Sequence, residues 1–280
     1  LGAAYAAGKA GACVIVISDY TFLGDEYLAK AKRDLASGPA PQSELARALF
    51  SKPDAVAFSK TASRLLQEAR VTFLDNSRYA GVLVDAQGGL CGIATANKAG
   101  VQAILAKLVL DASQASRCAD DAGAERAPWT ATTLTVSRPQ ADRTTKALKP
   151  PVVQTVPMPE LTWVRLNRAE QALRETWHVA VSTNFAHSMD FMMPNALTMA
   201  RALELERPHP DMFRAKAVSN LYVLGSSVAA STAAAERLMQ PVRLTDVGSL
   251  LGPHLAAAAA RIAPPSAEAA RFKAVAGDVL

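Results

Sequence analysis

Residues Leu1 to Asp19 read LGAAYAAGKAGACVIVISD, and this stretch decides the fold. Gly2, Ala3, Ala4, Ala6, Ala7 and Ala10 predict a helix with almost no side-chain bulk, able to lie very close to a sheet. Gly11 ends it, since a residue without Cβ takes the left-handed cap conformation at little cost. Val14 to Ile17 form a continuous β-branched run, the pattern of a parallel strand buried on both faces, with Cys13 a small core residue at its start. Helix, glycine, strand and acid in this order make the second half of a βαβ dinucleotide-binding unit. A strand ending in G-x-G-x-x-G would precede it, so the unit is expected to be truncated at its N-terminal side.

The whole chain, 280 residues with 50% apolar content, is long enough to bury a substantial core in one large domain or two. Its net charge of +5 is spread along the sequence, with no basic run interleaved with aromatics, so a nucleic-acid partner is not expected. Three cysteines lie far apart with no C-x-x-C pair, which supports neither a disulfide framework nor a zinc site. Four dispersed histidines likewise predict no metal centre. The apolar stretch Leu250 to Ala260 contains Pro253 and His254 and is too short to span a membrane. The compartment stays open, cytoplasmic if Leu1 is near the true start, and the oligomeric state is not legible.

Outward from the opening stretch, Phe22-Leu23-Gly24 reads as a turn and Glu26 to Leu35 as a short helix. Residues 37–54 are rich in Pro, Ser and charge and read as a surface connection. Val56 to Arg70 has helical period, its stripe made by Val56, Phe58, Ala62, Leu65, Leu66 and Ala69. Strands are expected at Val71–Leu74, Tyr79–Asp85 and Leu90–Asn97, the last two joined by the hairpin signal Ala86-Gln87-Gly88-Gly89. Gly100 to Ala106 follows, and then the apolar run 106–112, expected in the main parallel sheet. From Pro128 the character is β-rich, with a strand at Thr130–Ser137. The five prolines of Pro139 to Pro159 predict loop with edge strands. Further strands are expected at Leu161–Leu166 and Trp177–Ser182 around a helix at Arg168–Thr176, then a helix at Asn195–Glu206. Asn220–Leu224 is a short buried strand ending at Gly225, after which Ser226 and Ser227 can cap a helix at Ser231–Met239. Val247–Ile262 is a second small-residue helix.

Three of these stretches resemble the FAD-dependent oxidoreductases of two-dinucleotide-binding-domain architecture: LGAAYAAGKAGACVIVIS, residues 70–113, and the closing segment from Ser219. The resemblance implies an α/β fold, with a Rossmann-like FAD-binding domain carrying a three-stranded β-meander and a β-rich α+β substrate domain. It divides the chain into a first FAD-binding part at 1–127, a substrate-type domain at 128–214 and a closing FAD-binding part at 215–280. It also implies FAD as cofactor, a small-molecule substrate, and cofactor contacts at Gly2, Ser18, Asp19, Gly24, Ala112, Ser113, Gly225, Ser226 and Arg237. Departures from the family pattern fall at Ser18 (usually Glu), Asp25 (Gly), Ser113-Gln114-Ala115 (Thr-Gly-Asp) and Ser226 (Arg), while Arg237 and Met239 match.

The activity implied is hydride transfer from an organic substrate to the flavin. The alternative is a degenerate flavoprotein-like binding or structural module without catalysis. A single-domain nicotinamide dehydrogenase would explain the opening stretch but leave the meander and closing segment without a role. His178 and His187 are the candidate proton acceptors, and His209 is a further one. His187 and Asp190, three apart, suit a hydrogen-bonded pair on one helical turn.

Overall fold

The structure is a computed structural model. It describes residues 1–24, 39–51, 54–113, 116–127, 133–141, 148–157, 163–176, 190–192, 196–228 and 231–273. In chain order the elements are α1 (Gly2–Lys9), β1 (Ile15–Ile17), α2 (Glu44–Leu49), α3 (Ala55–Glu68), β2 (Thr72–Leu74), β3 (Arg78–Val84), β4 (Leu90–Asn97), β5 (Gly100–Leu105) and β6 (Val109–Asp111). There follow α4 (Arg117–Ala122), β7 (Thr133–Ala141), β8 (Leu148–Pro157), α5 (Trp163–Thr176), β9 (Asp190–Met192), β10 (Leu221–Val223), α6 (Thr232–Leu238), α7 (Pro241–Arg261) and β11 (Arg271–Phe272). The chain is therefore mixed α/β.

Two short parallel pairs carry the α/β character. β1 pairs with β2, Val16 opposite Phe73, and β6 pairs with β10, Leu110 opposite Tyr222. Between them in sequence, β3, β4 and β5 pair antiparallel, and β11 adds to the free edge of β3. The 86–89 turn is closed by Asp85, whose Oδ1 accepts from the Gln87 and Gly89 amides at 2.9 and 2.8 Å while Gly88 takes a φ of 81°. A separate sheet has the order β8-β7-β9. The proline-rich β8 is an edge strand there, and the register slips between Arg138 and Gln140, at Pro139, which has no amide to give the ladder.

α1 uses its small residues against a helix rather than a sheet. A Cβ at Gly2 would lie 2.3 Å from Thr245 O, and one at Gly252 would lie 2.5 Å from Ala6 Cβ and 2.6 Å from Ala7 N. Helices this close exclude every larger side chain at those positions. α7 itself begins at Pro241, six residues before the expected Val247, because proline suits the first helical turn.

Two apolar clusters meet at α1. Ala3 belongs to the one built on β10, α7 and the 197–215 segment, with Phe213, Leu221, Val223 and Leu251 fully buried. Tyr5 belongs to the other, built on α2 and α3 with Leu45, Leu49, Phe58 and Leu66.

Several sequence expectations are corrected here. β1 is not buried on both faces. Val14 and Val16 pack into the second cluster, while Ile15 is 44% exposed and Cys13 is exposed, because among the described residues only one face is covered. The 37–54 connection contains α2. Ser43 Oγ caps it by accepting from Ala46 N at 3.1 Å, and Asp246 of α7 anchors Ser43 N at 2.8 Å and Ser43 Oγ at 2.7 Å. Val56 leaves the stripe at 54% exposed, since it sits in the first turn of α3, next to the Asp54 cap.

Residues 163–166 are helical, the start of α5, because nothing interrupts the helix-forming run into Arg168. Residues 196–206 are not helical. The Leu197, Thr198 and Ala200 amides donate instead to Ser227, Glu125 and Arg214 carbonyls at 2.7, 2.7 and 2.8 Å, so tertiary partners replace the helical ladder. Ser226–Val228 is a 3₁₀ turn, and the cap of α6 is Ser231, whose Oγ accepts from Ala234 N at 3.2 Å. The expected helix 26–35 and strand 177–182 lie outside the described residues.

Candidate functional site

In an open parallel α/β sheet, ligands gather beyond the carboxyl ends of the strands. At the end of β6, Asp111 is buried and its carboxylate is fully engaged. Oδ1 accepts from Ser113 N at 2.9 Å and from Ser113 Oγ at 2.6 Å, and Oδ2 accepts from Ala119 N at 3.1 Å. One carboxylate thus binds the strand end to the first turn of α4, where an anion also complements the helix dipole. β10 ends beside it, with Leu224 N donating to Asp111 O at 2.9 Å. A Cβ at Gly225 would sit 3.6 Å from Ser113 O. Ala112, Ser113, Gly225 and Ser226 are therefore brought together.

The surroundings of this junction are polar. Ser116 follows with φ 51°, fully buried, its Oγ without a hydrogen-bond partner among the described residues. Arg126 holds Asp120 through Nε and Nη2 at 2.6 and 3.1 Å, and its Nη1 lies 3.5 Å from Ser227 Oγ.

The other expected contacts are placed elsewhere. Ser18, beyond β1, accepts the Tyr20 amide on Oγ at 3.2 Å, and its carbonyl accepts from Ser77 N at 2.9 Å. Asp19 beside it is exposed. Gly24 takes a left-handed φ of 81° after the buried Leu23, which gives the 22–24 turn its shape. Gly2 is a glycine for the sake of the α1–α7 contact. Arg237 lies on α6 and is ion-paired to Glu206.

His178 and His187 lie outside the described residues. Asp190 opens a β-strand and not a helical turn, and its expected partner His187 is outside the described residues. His209 caps the 3₁₀ turn Pro210–Met212, its Nδ1 accepting from Asp211 N at 3.2 Å. Among the described residues no group of His, Cys, Asp or Glu is arranged to hold a metal, and no helix is long and apolar enough to cross a membrane.

Sequence reasoning missed a polar cluster under the β6 loop. Tyr79 Oη donates to Asp121 Oδ2 at 2.6 Å, and Lys273 Nζ donates to Asp121 O at 2.8 Å. Burial, then the Asp121 contact, raises the Tyr79 hydroxyl well above the usual tyrosine range. Burial, aided by Asp111 and Asp121, pushes the Cys118 thiol up to about 12. Cys118 is therefore a protonated packing residue and no nucleophile. No local pattern could have found it, because Tyr79, Asp121 and Lys273 come from distant parts of the chain.

No family model and no curated protein sequence matches the chain. Among solved structures, a triple mutant of a flavin-dependent brominase matches at TM-score 0.50 and 11% identity, over 93% of this chain and 78% of that one. The chain shares the fold of that protein. Two other matches are weaker. The p-nitrophenol 4-monooxygenase of Pseudomonas putida gives TM-score 0.47, 13% identity and 91% and 75% coverage. The anhydrotetracycline hydroxylase of Streptomyces rimosus gives 0.49, 11%, 91% and 60%. The chain spans only about half the length of several further structures of this kind, 53–57% of each.

Proposed function

We propose that the chain forms much of an FAD-dependent oxidoreductase, with residues 1–127 and 215–280 making the FAD-binding unit and 128–214 the substrate-type unit. The antiparallel β3–β5 meander belongs to the first of these. The observation that carries the reading is the junction of the β6 and β10 carboxyl ends, where Ala112, Ser113, Gly225 and Ser226 meet above a carboxylate already committed to shaping the loop. Ser113 and Ser226 offer hydroxyls suited to phosphate or ribose oxygens. Ser18 and Asp19 supply a hydroxyl and an exposed carboxylate, a donor set that fits ribose. The buried Ser116 Oγ beside Ser113, without a partner among the described residues, supports a polar occupant near this junction. When bound, the flavin supplies the acceptor for a hydride from a small organic substrate. His178 or His187 would take the accompanying proton.

A second reading, a flavoprotein-like module without catalysis, is favoured by one specific feature. Ser18 Oγ already accepts a backbone amide and Arg237 is already paired, so two expected cofactor contacts are engaged within the chain. The visible spectrum separates the two. Purified protein that shows flavin absorption, and releases flavin on heating, fits the enzyme reading. Protein that stays colourless after incubation with FAD overturns it and leaves the module.

A further inference from the structure

We infer that Arg237 and Arg243 form a receptor for a carboxylate ligand, which Glu206 occupies from within the chain. The loop 203–207 and the face of α6 bearing Ala234 and Arg237 border an open cleft of about 400 Å³. This lies at the small end of the range of roughly 300–1,000 Å³ found for small-molecule sites. Leu203, Leu205 and Ala234 give it apolar walls, and Arg237 and Glu206 give it a charged end.

At that end a single carboxylate faces two guanidinium groups. Arg237 donates to Glu206 Oε1, and Arg243 Nη2 stands 3.6 Å from Glu206 Oε2. Each carboxylate oxygen thus faces a different arginine, Oε1 as a hydrogen-bond acceptor and Oε2 at ion-pair distance, an arrangement open to any carboxylate there. One negative charge against two positive charges leaves a net cation.

The two partners are held very differently. The Arg243 side chain is only 20% exposed and is fixed by donating from Nη2 to Leu205 O at 2.6 Å. Its Nε–H is buried without an acceptor among the described residues. The Glu206 side chain is 71% exposed, so little packing holds it in place. Arg237 and then Arg243 keep its carboxyl below the usual glutamate range, so it stays ionised and able to exchange with another anion. A cationic end with one arginine held in place, a removable carboxylate and a short cleft with apolar walls select a carboxylate with a small apolar body. This inference is independent of flavin binding and gives Arg237 a partner other than a dinucleotide.

Calorimetric titration of the whole chain with hexanoate tests it, with hexanol and inorganic phosphate as parallel probes. Hexanoate binds at one site, hexanol does not, and phosphate binds more weakly than hexanoate. Glu206→Gln tightens hexanoate binding about two- to fivefold, the range expected when an exposed ion pair no longer competes. Arg237→Gln, at an exposed position that leaves the fold intact, weakens it about tenfold or more through loss of a charged hydrogen bond. Circular dichroism verifies the fold of both variants. Hexanoate affinity unchanged in Glu206→Gln, or retained in Arg237→Gln, overturns the inference. So does phosphate binding tighter than hexanoate, or no hexanoate binding in either wild type or Glu206→Gln.

Discussion

The β6–β10 and β1–β2 pairs have the same parallel pairing and nearly the same length, yet they are buried very differently. In β10, Leu221, Tyr222 and Val223 are all buried, in a cluster with Val247, Leu251 and Leu255 of α7, and residues 213–215 pair with the strand's outer edge. In β1, the more β-branched of the two, only Val16 and the adjoining Val14 point into a core, while Ile15 stands 44% exposed. Apolar content does not separate them. The difference lies in what surrounds each strand: β10 is buried throughout and paired on its outer edge, while among the described residues β1 is packed on one face only. A run such as VIVI records that a strand tolerates burial on both faces, and the rest of the chain decides whether it receives it.

The largest test of this contrast is a matched pair of truncations. Leu221→Ala empties a fully buried site and should cost about 2–5 kcal/mol. Ile15→Ala removes more branching from a strand of higher β-propensity but should cost well under about 1.5 kcal/mol, since much of that side chain stays wet. Urea denaturation measures both. Equal losses would mean that a covering layer on the Ile15 face exists in solution and would erase the contrast.

The next test addresses the seam that joins the two regions. Gly252→Ala gains up to about 1 kcal/mol of helix propensity in α7. Against this, the added Cβ meets Ala6 Cβ at 2.5 Å and the Ala7 backbone nitrogen at 2.6 Å, and backbone does not swing aside. The clash outweighs the propensity, and a net destabilisation of about 1–3 kcal/mol is expected. A stabilised variant would show that α1 is not held against α7.

How far the sequence revealed this arrangement follows from the range of the forces involved. The 86–89 hairpin and the strands at 72–74, 90–97 and 221–223 are written in local pattern and were readable, whereas the small residues of α1 announced a close approach without naming α7 as the partner. α2 was not, because the anchor for its cap is Asp246, about two hundred residues away in sequence. The 196–206 segment has helical periodicity, but its amides find better partners in Ser227, Glu125 and Arg214. The candidate site was legible as residue types at strand ends. The commitment of Ser18 to the Tyr20 amide is a local turn two residues long, whereas that of Arg237 to Glu206 is a tertiary fact no spacing encodes.

A smaller effect lies on the well-covered side. Tyr222 Oη and His254 Nε2 are 3.3 Å apart and tie β10 to α7. Burial lowers the His254 pKa below 6.5; Asp211 partly opposes this, while His209, Arg214 and Arg261 reinforce it. The folded state therefore binds a proton there less readily than the unfolded chain. The stability this group contributes is complete above pH 6.5 and is lost as pH falls through its lowered folded value. Thermal melts of the wild type should show this decline, and His254→Gln should flatten it. An unchanged profile would show that the ring does not protonate against its surroundings.

The smallest expected signal is also the most local. Thr72 N donates to Val14 O at 2.9 Å, and Ser18 N donates to Leu74 O at 3.1 Å. In a parallel ladder these bonds fix Val14, Val16 and Ser18 toward β2, which aims the Ile15 and Ile17 amides at the opposite edge. Among the described residues nothing accepts them there. In β10 the outward amides are engaged, Val223 N donating to Phe213 O at 2.7 Å and Leu221 N to Val218 O at 3.1 Å. Amide hydrogen exchange should therefore alternate along β1, fast at Ile15 and Ile17 and slow at Val16 and Ser18, and should be slow throughout β10. Uniform protection along β1 would place a hydrogen-bonding partner on its second edge, and the two parallel pairs would then differ only in the layer that covers Ile15.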